Sequence, residues 1–282
     1  MNDNKKENNL IQKRTPASLL PNALTILGVC LGLSSIKFAL DFNYEMAVIA
    51  IGFAAILDTL DGRVARLIKG TSKVGKELDS LTDVISFGVA PSFIMYFWIL
   101  NNLEKIGWML ILIYTVCCSL RLARFNLTNI NQNESWKINF FEGVPSPAAA
   151  GLVLLPLILN LSDIVEILNL IEIIQILNLD NIFNVENNKI ISSIIILSIA
   201  VLMVSKVPTY SLKRIAIPRR LGGFLLLGIG TYISILIYYT FEVLFLTGLI
   251  YICLIPVSYF HYKYLNNKSL NKNIEEDIED IL

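Results

Sequence analysis

Apolar residues in this chain come in long blocks rather than in the alternation of a strand or the three-four spacing of a surface helix. Blocks near the roughly twenty residues that cross a bilayer fall at about 20–40, 46–68, 80–100, 107–127, 145–161, 189–207, 221–241 and 243–264. They predict an all-α, polytopic integral membrane helix bundle with about eight transmembrane helices, the fifth being the shortest. The second block is apolar to Leu57 and then turns acidic and basic. Charges at that depth need a water-filled cavity, so this half-helix is expected to border one. Between the fifth and sixth blocks, Asp163, Glu166, Asn169, Glu172, Gln175 and Asn178 recur every third residue among Leu and Ile. Residues 162–188 therefore read either as an amphipathic helix on the outer membrane surface or as a low-complexity insertion without function. The expected organisation is a cytosolic segment 1–19, in which residues 10–20 form a surface helix or a plain tail, a transmembrane domain 20–265, and a cytosolic acidic tail 266–282, solvated or loosely helical.

Composition agrees: 55% of residues are hydrophobic and the mean hydropathy is +0.62, more than a soluble domain of this length requires. The 23 basic and 23 acidic residues cancel, and no nucleic-acid partner is expected. Their placement is uneven. Lys5, Lys6, Lys13 and Arg14 precede the first block, Arg66, Lys69, Lys73 and Lys76 follow the second, and Lys206, Lys213, Arg214, Arg219 and Arg220 follow the sixth. The intervening connections are mainly acidic. By the positive-inside rule both termini face the cytosol, and no cleavable leader is predicted. Cys30, Cys117, Cys118 and Cys253 lie inside the blocks without metal spacing and read as reduced, buried thiols. His261, the only histidine, has no partner pattern and reads as an interfacial side chain.

Chemistry concentrates where the second block turns polar, in the pattern D-x2-D-G-x2-A-R-x8-G-x3-D-x3-D formed by Asp58, Asp61, Gly62, Ala65, Arg66, Gly75, Asp79 and Asp83. Helix neighbours three and four apart share a face, so two helices can each aim two carboxylates into one space. Four carboxylates repel strongly at low dielectric, and a divalent cation resolves the conflict. An all-oxygen set suits Mg2+ or Mn2+ rather than Zn2+. Gly62 and Gly75 let bulk approach the backbone, and the planar fork of Arg66 fits phosphate oxygens.

With all eight positions filled, the pattern resembles the signature of the CDP-alcohol phosphatidyltransferases. The likeness extends to Pro21-Asn22 with Thr25, and residues 77–91, 119–126 and 140–151 are similar to the phosphatidylserine synthase branch, which usually carries Leu where this chain has Val144. The resemblance implies a membrane enzyme, a CDP-diacylglycerol–serine O-phosphatidyltransferase, in the bacterial cytoplasmic membrane, with CDP-diacylglycerol, L-serine and membrane lipid as partners. It implies that Asp58, Asp61, Asp79 and Asp83 hold two divalent ions, Mn2+ or Mg2+. It makes Asp83 the catalytic base, and Gly62, Ala65, Arg66, Gly75, Asn22 and Thr25 the CDP-binding residues. Homodimerisation is implied by the resemblance alone. Arg121 and Arg124 are candidates for the acceptor's carboxylate, with ordinary positive-inside anchoring as the other reading, and Pro145-Ser146-Pro147 either shapes the acceptor cavity or ends a loop. Glycerol 3-phosphate or an inositol compound remains open as acceptor. A divalent cation transporter, more remote, would use the four aspartates as its path but gives Arg66 no purpose.

Overall fold

The computed structural model describes residues 19–68, 73–128, 140–164, 185–211 and 222–279. The N-terminal surface segment before residue 19, residues 165–184 of the expected insertion, the basic connection 212–221 and the last three residues of the tail lie outside the described residues.

Among the described residues, eight helical columns take up the eight apolar blocks. They are α1 (Leu19–Leu40), α2 (Tyr44–Leu67), a third column of α3 (Lys73–Asp83), a π-helical segment (Val84–Val89) and α4 (Ala90–Trp98), then α5 (Glu104–Thr128), a fifth column of α6 (Ser146–Val153) and α7 (Leu155–Leu161), α8 (Val185–Val204), α9 (Gly222–Tyr238) and α10 (Thr240–Glu279). Among the described residues, four stretches are both long and apolar enough to cross a membrane: Leu20–Leu40, Val74–Trp98, Leu100–Leu127 and Thr240–Lys268. Asn188–Val204 and Gly222–Tyr238 are shorter apolar helices. The second column has the length but carries Glu45, Asp58, Asp61, Arg63 and Arg66, and the fifth is cut in two between Val153 and Leu155, just before Pro156. Proline lacks the amide that would continue the ladder.

Alanines make the tightest packing. Ala39, Ala47, Ala54, Ala90, Ala149 and Ala200 are buried with Phe87, Ile94, Tyr114, Leu157 and Met203 in one continuous core. Small side chains let helix backbones approach where the surrounding lipid offers no hydrophobic drive. The outer faces are the reverse: α9 buries no residue at all, and Leu226, Ile237, Phe224 and Phe260 are largely exposed, as expected of helix faces presented to acyl chains.

Two features differ from the sequence expectation, and the helical tail lies within it. An antiparallel two-stranded ribbon joins β1 (Phe140–Glu142) to β2 (Pro208–Tyr210), with Phe140 opposite Tyr210 and Glu142 opposite Pro208. It is anchored by Gly143, whose φ of +74° and approach to the backbone oxygens of Met203 and Ser205 leave no space for a Cβ, which would lie 2.6 and 3.0 Å from them. The final helix runs unbroken through Pro256 and on into the tail as far as Glu279. All four cysteines are free, but only Cys118 is fully buried; Cys30 and Cys253 are exposed. Their helix faces turn outward, and a thiol is apolar enough to sit there.

An aromatic cluster marks the end of the third column opposite its aspartates. Phe93, Tyr96 and Phe97 meet Trp108 or one another with ring centroids 5.6–6.0 Å apart, and the Tyr44 hydroxyl donates to the Phe97 carbonyl at 3.1 Å. Amphipathic rings gather in this way at a membrane–water boundary.

Candidate active site

Asp58 and Asp61 leave α2 one turn apart, and Asp79 and Asp83 leave α3 one turn apart. One oxygen from each of Asp58, Asp61 and Asp79 lies within 4.8 Å of the others. Asp83 joins the group through a carboxyl–carboxyl contact with Asp58, and its Oδ1 is buried with no hydrogen-bond partner among the described residues. A buried carboxylate oxygen left unpaired beside three more carboxylates is costly unless a cation neutralises it. The residues present therefore fit a divalent metal, and an all-oxygen donor set fits a hard one.

Helix α1 sets the register of both acidic helices. The Thr25 hydroxyl donates to Asp61 Oδ2 at 2.7 Å, with the Pro21 carbonyl 3.0 Å away as an alternative acceptor. One turn along α1, the Gly28 carbonyl accepts from Ser86 Oγ at 3.1 Å. A further turn on, a Cβ at Gly32 would lie 2.6 Å from Ser86 Oγ, so the two backbones touch where only glycine fits. The π segment begins immediately after Asp83, and Ala90 N–H reaches back five residues to the Ile85 carbonyl. Such wide turns are rare and concentrate at functional sites. Here the buried Tyr114 hydroxyl donates to the Phe87 carbonyl at 2.9 Å, and Ser92 Oγ donates to the Gly88 carbonyl at 2.6 Å.

Of the expected CDP-binding residues, Thr25 is bonded to Asp61 and Gly62 follows it on α2. Gly62 is exposed, with open space where a Cβ would project. Arg66, also exposed, folds back so that its Nε donates to the Gly62 carbonyl at 3.0 Å, leaving the outer edge of the guanidinium toward solvent. Ala65, Gly75 and Asn22 are half-buried.

The CDP-alcohol phosphatidyltransferase family model matches residues 18–178, which include α1 to α7 and every aspartate of the site. The chain belongs to this family. The chain is 45% identical over 144 residues to the CDP-diacylglycerol–serine O-phosphatidyltransferase of Mycobacterium leprae, covering 51% of this chain and 48% of that one. It is 44% identical over 145 residues to the enzyme of the same name from Helicobacter pylori strain 26695, covering 51% and 60%, and 38% identical over 142 residues to that of Bacillus subtilis, covering 50% and 77%. The matched stretch spans about half the length of the mycobacterial relative.

Within the phosphatidyltransferase frame the two arginines of α5 part company. Arg121 is buried, donates from one terminal nitrogen to Ser146 Oγ at 2.5 Å, and is a charge neighbour of Asp83. Its Nε is buried without a partner among the described residues. Ser146 opens α6 between two prolines, so the Pro-Ser-Pro element serves to present this hydroxyl. Arg124 instead donates to the carbonyls of Val204 at 2.7 Å and Ser205 at 3.1 Å, with Glu142 O at 3.4 Å. It ties the end of α8 to the ribbon, a role that neither acceptor binding nor simple charge anchoring anticipates. The sequence reading also missed the partnerships of Thr25 with Asp61 and of Ser146 with Arg121. Helical spacing from Pro21 and the flanking prolines mark these residues, but their partners are 36 and 25 positions away.

Proposed function

We propose that the protein transfers the phosphatidyl group of CDP-diacylglycerol to the hydroxyl of L-serine, giving phosphatidylserine and CMP, at the cytosolic face of a bacterial inner membrane with both termini in the cytosol. The observation that carries this reading is the convergence of Asp58, Asp61 and Asp79 within 4.8 Å, with Asp83 in contact with Asp58 and a charge neighbour of the buried Arg121.

Asp58, Asp61 and Asp79, with Asp83 contributing, would hold two divalent ions, Mn2+ or Mg2+. When bound, these ions neutralise the pyrophosphate and the charge that develops on the CMP leaving group. Gly62 leaves room for the pyrophosphate against the α2 backbone, Arg66 offers its free guanidinium edge to a phosphate oxygen, and Ala65, Gly75, Asn22 and Thr25 border the nucleotide. Thr25 acts by fixing Asp61 through its hydroxyl. Arg121 takes the carboxylate of serine, which places the serine hydroxyl toward Asp83. Asp83 accepts the hydroxyl proton as the oxygen bonds to the lipid-side phosphorus and the bond to CMP breaks. Aspartate is a weak base for an alcohol, so proximity supplies much of the acceleration. Transport of a cation along the same acids is disfavoured by Arg121, a buried positive charge beside Asp83.

The test is CMP release from CDP-diacylglycerol by the purified full chain in detergent micelles with Mn2+ or Mg2+, with serine, glycerol 3-phosphate, inositol and inositol phosphate as acceptors. Metal-dependent release with serine alone is expected. Release with another acceptor would reassign the product, and release with none would overturn the enzyme reading.

A further inference from the structure

Helix α5 runs antiparallel to the third column, and the contacts between them fix where Arg121 stands. The Thr115 and Ser92 hydroxyls lie 3.1 Å apart, a Cβ on Gly88 would come within 3.2 Å of Cys118 Sγ, and Asn126 donates to Ser80 Oγ at 2.9 Å. Arg121 falls between the last two contacts, which brackets it at the level of Asp83. Its side chain is long, flexible and buried. Among the described residues the guanidinium makes one hydrogen bond, to Ser146 Oγ at 2.5 Å, and its Nε is left buried without a partner.

Ser146, by contrast, stands on a rigid mount. It is fully buried, Pro145 precedes it with φ fixed at −59°, and Pro147 follows it in the first turn of α6. Ala149 N–H closes that turn on the Pro145 carbonyl at 2.8 Å. Three residues before Ser146, Gly143 is held from both sides: its N–H donates to the Val207 carbonyl at 2.9 Å, and its own carbonyl accepts from the Thr209 hydroxyl at 2.8 Å. A hydroxyl is also the right kind of partner. It accepts one guanidinium hydrogen and so fixes the plane of the fork, yet carries no charge to cancel that of the arginine. A carboxylate in its place would orient the guanidinium equally well but would take up the charge and the donors that a substrate anion needs. We infer that Ser146 is a positioning residue for the acceptor: its neutral hydrogen bond holds the Arg121 guanidinium in the orientation that receives the carboxylate of the amino acid. The turn between the ribbon and α6 therefore governs affinity for the amino acid and leaves affinity for the nucleotide lipid alone.

This inference rests on the serine-transferase reading above, and the experiment separates the two. CMP release by the wild-type chain, Ser146→Ala, Ser146→Cys and Ser192→Ala is measured in micelles with Mn2+ against varied L-serine and varied CDP-diacylglycerol. Ser146→Cys keeps a side chain in the packed site but accepts hydrogen bonds only weakly, so it carries the test if the alanine variant does not fold. Ser192 on α8 is as deeply buried as Ser146 and reports on the loss of a buried hydroxyl in general. Both Ser146 variants should raise the KM for serine about tenfold, the loss of one hydrogen bond to a charged group. Their KM for CDP-diacylglycerol and their kcat at saturating serine should stay near wild type, and Ser192→Ala should match wild type throughout. A serine KM that stays unchanged in a folded Ser146 variant, or a rise shared equally by the KM for CDP-diacylglycerol or by Ser192→Ala, would overturn the positioning role while leaving the enzyme reading intact. Loss of the fold in both Ser146 variants would overturn it too, by making the bond a structural one. Wild-type protein that releases no CMP with serine would overturn both readings.

Discussion

Asp83 and Thr25 illustrate two ways in which single side chains serve the acidic cluster. Asp83 is both a member of the cluster and its link to Arg121. Asp83→Asn keeps the shape and removes the base, so turnover should fall by at least about a hundredfold while binding of CDP-diacylglycerol, measured by equilibrium dialysis with labelled nucleotide lipid, stays within a few-fold of wild type. Normal turnover would exclude Asp83 as the base. Thr25 touches the cluster only through Asp61. Orienting partners of metal ligands are worth roughly 10–100-fold in metal affinity, so Thr25→Ala should raise the Mn2+ concentration for half-maximal CMP release by about that factor and leave the rate at saturating Mn2+ little changed. The acidic residues were legible in the sequence because their spacing is local. Thr25 was visible as a motif member but not as the partner of Asp61, because the approach of α1 to α2 is a tertiary fact.

At the scale of elements, helix spacing predicted which acids share a face, and the blocks predicted the columns. The breaks inside the columns were not legible in the same way. Pro156 marks the cut in the fifth, but the π segment at Val84–Val89 has no proline and no unusual composition; what stabilises it is contact with Gly28, Gly32 and Tyr114 on other helices. Likewise, the ribbon depends on a glycine whose backbone meets the end of α8. Gly143→Ala places a methyl among carbonyl oxygens at a positive φ, a strain of about 1–3 kcal/mol. A thermal unfolding midpoint lowered by several degrees is expected, and an unchanged midpoint would show that the α8 end yields readily.

Across the whole molecule, the aspartates and the aromatic cluster of Phe93, Tyr96, Phe97 and Trp108 sit at opposite ends of the third column. This polarity matches the division of basic and acidic connections, and it predicts sidedness. In sealed cells, a membrane-impermeant maleimide should label Glu104→Cys, beside the aromatic end, and should reach Glu77→Cys, near the aspartates, only after the cells are opened. Cys30 and Cys253, although exposed, face the apolar flank of the bundle and should stay unlabelled in both states; the reverse pattern would invert the topology. The wide turn after Asp83 also has a consequence for this polarity. A π turn holds one more residue than an α turn, so it works as a phase shifter between the two halves of the column: the half bearing Asp79 and Asp83 and the half bearing Ala90 and Ile94 obey different angular registers. Deleting one residue from Val84–Val89 would take out that extra residue and leave a regular α-helix, with the aspartates at the same angle to the core but with the Phe87 carbonyl that Tyr114 now holds drawn back into the helical ladder.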